Sequence, residues 1–454
     1  GFLEQAGYRP AAVDLSVEKL DPDKVAQARF IGISVPMHTA LRIGAKVAEQ
    51  IRKIHPDCHL SFFGLYSSLN ADMLLEKLAD SVIGGEYEAP LVALIKRLST
   101  GPDRPQDPIE GVRRRGKTAP PLLAHFPFAA PSRSALPLLE QYAFLEADGA
   151  RRKVGAVEAS RGCRHLCRHC PIPPVYEGRF FLVPQEVVQE DIRNLAAAGA
   201  THITFGDPDF LNGPNHSLRI VRNMNRDFPE VTFDFTAKVE HILKHQALFP
   251  EFASLGCLFV VSAVESLNDT VLTHLAKNHT RADVVEALRI TRKVEITLRP
   301  SLVTFTPWSS LEDITDLFHF IEKEGLIDEI DPVQYTIRLL IPPGSLFLTE
   351  SSIAPYLGPL IPESFSYRWI HPAPRMDRLQ ARFSKEVERA TSASEDPESV
   401  FYQLKEIALA TREGRAPIQV QHQAQSNRLR PPRLTEPWFC CAEPTENQLM
   451  SGAG

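Results

Sequence analysis

The sequence predicts an α/β protein: an N-terminal doubly wound domain, a partial (β/α)6 barrel, and a C-terminal helical extension with a cysteine-bearing tail. Three observations predict it. Short apolar runs alternate with helical patterns, which implies parallel strand pairing. A stretch rich in Pro, Arg and Ala interrupts the alternation at 101–150. The series then resumes with six longer units, fewer than the eight of a closed barrel.

In chain order, residues 2–7 read as the last turns of a helix capped by Gly7, and 11–15 as a strand. A first strand and part of a first helix are therefore expected ahead of Gly1. Strands follow at 30–35, 59–65 and 81–84, with helices at 41–54 and 72–78. Ligands of such sheets sit beyond the carboxyl ends of the strands. Those ends read Val35-Pro36-Met37-His38-Thr39, Phe63-Gly64-Leu65-Tyr66-Ser67-Ser68 and Gly84-Gly85-Glu86-Tyr87. Small residues there let a large ligand approach the backbone, which makes Gly64, Tyr66, Gly84 and Gly85 candidates. The second series has strands at 155–159, 202–206, 232–237, 258–264, 295–305 and 333–341. Its helices are at 184–198, 216–227, 281–292 and 311–324. Helices at 378–391 and 398–412 precede a polar tail. The expected division is 1–100, a connector at 101–150, a barrel at 151–350, and an extension at 351–454.

A chain of 454 residues with 43% hydrophobic content has room for two or three domains with substantial cores. Its net charge of −6, without a Lys/Arg stripe interleaved with aromatics, argues against a nucleic-acid partner. The run Arg113-Arg114-Arg115 with Lys117 reads as solvated linker. No apolar run reaches the roughly 18 residues of a membrane span, and no signal peptide is apparent. The 7 cysteines are odd in number and not spaced as a disulfide framework, which suits a reducing cytoplasm. Cys58 and Cys257 read as small buried hydrophobes.

Three cysteines are different. The segment Glu158-Ala159-Ser160-Arg161-Gly162-Cys163-Arg164-His165-Leu166-Cys167-Arg168-His169-Cys170 directly follows the first barrel strand. Thiolates are soft ligands that suit iron–sulfur clusters. Cys163, Cys167 and Cys170 would bind three irons of a [4Fe–4S] cluster and leave the fourth open to a chelating cosubstrate, as in open catalytic metal sites. Gly162 permits a tight turn, and Arg161, Arg164 and Arg168 would bring positive charge to an anionic cluster. The competing reading is a structural zinc site completed by His165 or His169.

C-x3-C-x2-C after the first strand of a partial barrel resembles the radical S-adenosylmethionine (SAM) superfamily. One departure is His169, where the family usually has an aromatic residue before the third cysteine. The resemblance implies SAM as cosubstrate and reductive cleavage of its sulfur–carbon bond, with a flavodoxin- or ferredoxin-like electron donor and a small-molecule substrate. It assigns the SAM amino group to Gly206 and Asp207 in Gly206-Asp207-Pro208-Asp209. It assigns the ribose to Glu265, supported by Ser262, in Val261-Ser262-Ala263-Val264-Glu265-Ser266. Lys238 and Glu240 are candidate contacts for SAM or substrate, and Arg299 for the SAM carboxylate.

The N-terminal domain looks like the cobalamin-binding domain of the B12-dependent branch. No Asp-x-His-x-x-Gly loop is present; its position would precede Gly1. The alternative is a degenerate domain that has lost the cofactor. The segment Trp438-Phe439-Cys440-Cys441-Ala442-Glu443-Pro444 resembles the group named for a CUAEP or CCAEP tail, whose other members carry selenocysteine at the second position. Cys440 and Cys441 could ligate the open iron, hold a thiophilic metalloid or cycle through a disulfide. Three functions follow: cobalamin-linked radical chemistry such as methyl transfer, cobalamin-free SAM cleavage on a thiophilic substrate, and an iron–sulfur or zinc protein without turnover.

Overall fold

The computed structural model describes residues 1–100, 108–420, 422, 428 and 430–435. Strands β1 (Phe30–Ser34), β2 (His59–Phe63) and β3 (Ser81–Ile83) pair in parallel in that order, and β4 (Val112–Arg113) adds an antiparallel edge. Side chains alternate across a strand. Leu60, Phe62 and Val82 therefore pack on helices His38–Ile54 and Ala71–Lys77. Ile83, with Phe30 and Phe63 beside it, packs on Leu91 and Leu94 of helix Glu88–Ser99 on the opposite face. Helices on both faces make this small sheet doubly wound.

The expected strand at 11–15 does not form. Asp14 accepts from the Ser16 N–H (3.0 Å) and hydroxyl (2.7 Å), and its carbonyl accepts from Val17. A local side-chain turn outcompetes a short apolar pattern with no sheet edge to join.

The larger sheet holds β5 (Phe144–Ala147), β6 (Ala150–Val157), β9 (His202–Phe205), β10 (Thr232–Ala237), β11 (Cys257–Glu265) and β12 (Thr297–Leu302). Between β6 and β9 lies a separate hairpin of β7 (Ser160–Gly162) and β8 (Phe180–Leu182). A second hairpin, β13 (Leu357–Ile361) with β14 (Ser366–Trp369), belongs to the extension, and β15 (Arg433–Leu434) returns to pair with β5. The order β12-β11-β10-β9-β6-β5-β15 contains five consecutive parallel strands, followed by two antiparallel pairings.

A sixth regular strand at 333–341 is replaced by a 3-10 helix, Pro332–Thr336, and a single parallel bridge between Phe305 and Arg338. Pro332 lacks an N–H and fixes φ. The Gln334 side chain takes the Leu302 N–H (2.8 Å), a bond that a strand backbone would otherwise accept. The partial barrel thus has five strands and one bridging segment.

Helices Pro374–Ser392 and Pro397–Glu413 complete the barrel's outer layer. Phe383 meets Phe305 and Phe318 edge-on at centroid distances of 5.8 and 5.9 Å, and Phe401 meets Phe318 at 5.3 Å. Among the described residues, no helix is long and apolar enough to cross a membrane.

Candidate active site

Asp207, two residues beyond β9, fixes the entrance to the cysteine loop. It accepts the Ala159 N–H at 3.0 Å and the Ser160 hydroxyl at 2.5 Å. Burial pushes its carboxyl up to about 7, against the opposing pull of those two donors. A carboxyl that holds its proton longer in the folded state stabilises below its unfolded pKa of about 4 and loses that contribution as pH rises to about 7. Asp207→Asn should therefore remove a decline in stability on the order of 3–4 kcal/mol across that window. Urea unfolding at both pH limits measures it, and an unchanged pH slope would disprove the assignment.

Gly162 (φ +76) turns the chain into the loop, and a Cβ there would lie 2.5 Å from the Arg179 carbonyl and 2.6 Å from the Tyr176 ring. Only glycine fits. Cys163 and Cys167 are buried and Cys170 is half-buried; none is in a disulfide. Burial pushes the Cys163 thiol up, the His165 N–H opposes that shift, and the thiol donates to Asn212 Oδ1 at 3.9 Å. Metal coordination would deprotonate the thiol.

The donor set fits a cluster better than zinc. Tetrahedral zinc brings its thiolates to about 3.8 Å from one another. Among the described residues, the one trio of His, Cys or acidic side chains with ligand atoms within 4.8 Å of one another is His165, Asp209 and His241, so at least one pair of the three thiols stands farther apart than that. Each candidate fourth zinc ligand has one ring nitrogen engaged away from the thiols. His169 Nε2 lies 3.2 Å from Glu265 Oε1, and His165 Nε2 lies 3.2 Å from His241 Nε2.

Glu265 ends β11 at φ 64, a left-handed conformation uncommon for a residue with a side chain. Lys277 donates to it at 3.2 Å, and both side chains are buried. Burial opposes ionisation of Glu265, but Lys277 and His169 outweigh it and hold the carboxyl down at about 2. Lys277 lies within electrostatic reach of Cys167 and Cys170. The three arginines expected to supply that charge are engaged elsewhere. Arg164 stacks on Phe180 (4.9 Å), and Arg168 pairs with Glu350 (3.1 Å). Arg161 pairs with Glu86 (3.3 Å) and Glu88 (2.5 Å) on the first sheet's edge, where the Tyr176 hydroxyl also donates to Glu86 (3.0 Å). Its short reach and the acidic β3 loop make Arg161 a bridge between the two sheets.

The remaining candidates sit as follows. Gly206 donates its N–H to Val157 (2.9 Å) beside the loop entrance. The Ser262 hydroxyl is buried without a hydrogen-bond partner, which suits a polar ligand. Lys238 lies just past β10 and caps the helix Val239–Lys244, with Nζ 3.2 Å from Glu240. Arg299, in mid-strand, pairs with Asp331 (3.1 Å) and the Pro432 carbonyl (3.4 Å), partners that set it apart from the expected SAM carboxylate contact. Cys440 and Cys441 lie outside the described residues.

On the first sheet, intrachain packing accounts for the glycines. A Cβ on Gly64 (φ +100) would meet the Val35 backbone at 3.2 Å, one on Gly84 the Ser68 hydroxyl at 2.4 Å, and one on Gly85 the Leu122 carbonyl at 2.2 Å. The connector thus fills the space beside Gly84 and Gly85 that was expected to admit a ligand. Tyr66 is buried 5.8 Å from the His38 ring. Its helix, Leu65–Leu69, packs on helix Pro173–Tyr176, which follows the cysteine loop. The carboxyl edge of the first sheet therefore faces that loop.

Residues 157–321 match the family model described as the radical SAM superfamily, so this segment is a radical SAM domain. The chain is 25% identical over 321 residues to a hopanoid C-3 methylase of Methylococcus capsulatus, covering 67% of this chain and 59% of that protein. The chain thus spans under two thirds of that relative's length. The structure superposes on the radical SAM methyltransferase TsrM of Kitasatospora setae, solved with tryptophan and a SAM analogue, with a TM-score of 0.59 and 18% identity, covering 71% and 67% of the two chains. It also matches the cobalamin-dependent radical enzyme OxsB, solved with aqua-cobalamin and SAM, with a TM-score of 0.66 and 14% identity, covering 89% and 68%.

Proposed function

We propose that this radical SAM protein is a cobalamin-linked methyltransferase, or a closely related radical enzyme, acting on a small molecule. The observation that carries the reading is the juxtaposition of two ligand edges. The C-x3-C-x2-C loop closes the carboxyl end of β6, and the carboxyl edge of a separate doubly wound sheet faces it across the Arg161–Glu86 bridge. Cofactors bind at such edges in both fold types. The naming of the M. capsulatus relative and the ligands of the two structural neighbours support the same reading.

Cys163, Cys167 and Cys170 would hold the cluster, and Gly206, Ser262 and Glu265 would line the SAM site. Cobalamin would lie along the first sheet's edge near Gly64 and Tyr66. When bound, these groups supply the electron, the leaving sulfur–carbon bond and a methyl carrier. The protein's own part is to hold the loop's His169 and the buried Lys277 on Glu265, fix the loop's entrance through Asp207, and close the seam against water. A division into 1–100, 101–150, 151–350 and 351–454, a cytoplasmic setting and a flavodoxin- or ferredoxin-type electron donor belong to the same proposal.

Anaerobic reconstitution tests it. A reduced-cluster EPR signal perturbed by SAM, together with extractable corrinoid at one per chain, is the expected result. A SAM-responsive cluster with no corrinoid uptake would defeat the cobalamin part alone. Failure to assemble a cluster while zinc binds would defeat the whole reading.

A further inference from the structure

Three chain segments meet at the barrel's carboxyl face beside the cysteine loop. His165 comes from the loop itself, Asp209 follows β9, and His241 lies on the helix after β10. One ligand atom from each lies within 4.8 Å of the other two. The side chains of Asp209 and His241 are 1% and 3% exposed, and that of His165 10%. We infer that His165, Asp209 and His241 form a second metal site, separate from the cluster thiols, for one divalent transition metal of the zinc or ferrous class.

The distances suit a metal. The two Nε2 atoms are 3.2 Å apart. A tetrahedral ion with metal–nitrogen bonds of about 2.0–2.1 Å separates two such nitrogens by about 3.3 Å. His165 Nε2 is also 3.8 Å from Asp209 Oδ2. His241 Nδ1, 2.9 Å from the same oxygen but not aligned for a hydrogen bond, cannot ligate the same ion as Nε2, so the ring would bind through Nε2 with Nδ1 left beside Asp209. Asp209 Oδ1 is occupied by the Leu211 N–H (3.0 Å), which leaves Oδ2 to face the histidines and the Lys238 N–H at 3.4 Å.

Charge points the same way. Among the described residues, neither Lys nor Arg pairs with Asp209. A buried carboxylate without a cation is costly, and a divalent ion would offset that cost. Glu240 Oε2 lies 3.7 Å from His165 Nδ1 and is held by Lys238, the outer carboxylate that commonly orients a ligating histidine. Two imidazoles and one carboxylate suit zinc or ferrous iron, with coordination positions left open.

Cobalt(II), which occupies such sites and is visible spectroscopically, provides the probe. It is titrated into the full chain carrying Cys163→Ala, Cys167→Ala and Cys170→Ala, so that no cluster competes. One cobalt per chain should bind without a thiolate charge-transfer band. The paramagnetic NMR spectrum should show two strongly shifted imidazole N–H signals, which identifies histidine ligands without further mutation. Adding Asp209→Asn should weaken binding roughly 10–100-fold, and adding His241→Gln should weaken it at least as much. No stoichiometric uptake, thiolate-ligated cobalt, or affinity unchanged by both added substitutions would overturn the site and leave an ordinary hydrogen-bonded histidine pair.

Discussion

Replacing any one of Cys163, Cys167 and Cys170 with Ala should abolish cluster assembly and SAM cleavage while leaving the fold intact. The reason lies in the neighbours. A three-thiolate set survives a loss only if another soft or imidazole ligand can step in. His165 is turned to His241 and Asp209, and His169 to Glu265. Each of these two rings is already held by a partner, so neither is free to move onto a vacated iron. The lost side-chain volume is small, so the stability cost should remain within about 1–2 kcal/mol. Cys58→Ala and Cys257→Ala are the controls. Both residues are buried, Cys58 in the first unit and Cys257 in the barrel core, and should leave iron content and turnover unchanged. Iron analysis, EPR after reconstitution and product chromatography read the outcome. A single loop variant that retained the full EPR signal and cleavage would sink the assignment.

The second large effect is on stability. Lys277→Met should destabilise the apoprotein by about 3–5 kcal/mol, because it leaves the Glu265 carboxylate buried with only His169 as partner. Glu265→Gln added to Lys277→Met should recover much of that loss, since a neutral amide in place of the carboxylate leaves no unpaired charge. The pH dependence has a defined sign. With its folded pKa held at about 2, Glu265 contributes stability above its ordinary value of about 4.3 and loses it as pH falls between the two. The wild-type protein should therefore weaken on that acid limb more steeply than the double variant. Chemical denaturation at several pH values measures both. Equal stability of wild type and Lys277→Met at neutral pH would show that the pair contributes nothing.

Lys277 was not visible in the sequence as a functional residue. It sits in Ala276-Lys277-Asn278-His279, a short run after the helix Asp269–Leu275 that carries no motif of its own. Its burial follows from the left-handed Ala276 and Asn278, which fold the run back beneath β11. Arg161 illustrates the converse. Its position beside Gly162 suggested charge for a cluster, but the β3 loop of another unit supplies Glu86 and Glu88 as nearer partners. The Arg161 contacts join residues 75 and 73 positions apart, and the Lys277–Glu265 contact spans 12 positions across a strand end and a helix, so no local spacing encodes either.

Hydrophobic periodicity and Cys spacing by themselves determined the α/β class, the alternating units, the break between the sheets and the thiol loop, because each is a local pattern repeated along the chain. The tertiary structure alone decided that the sixth barrel strand is a single bridge, since Gln334 and Pro332 compete with its ladder only once β12 is in place. It alone decided that His165, Asp209 and His241 converge, because their separation in sequence becomes proximity only when successive strand ends align on one face of the barrel.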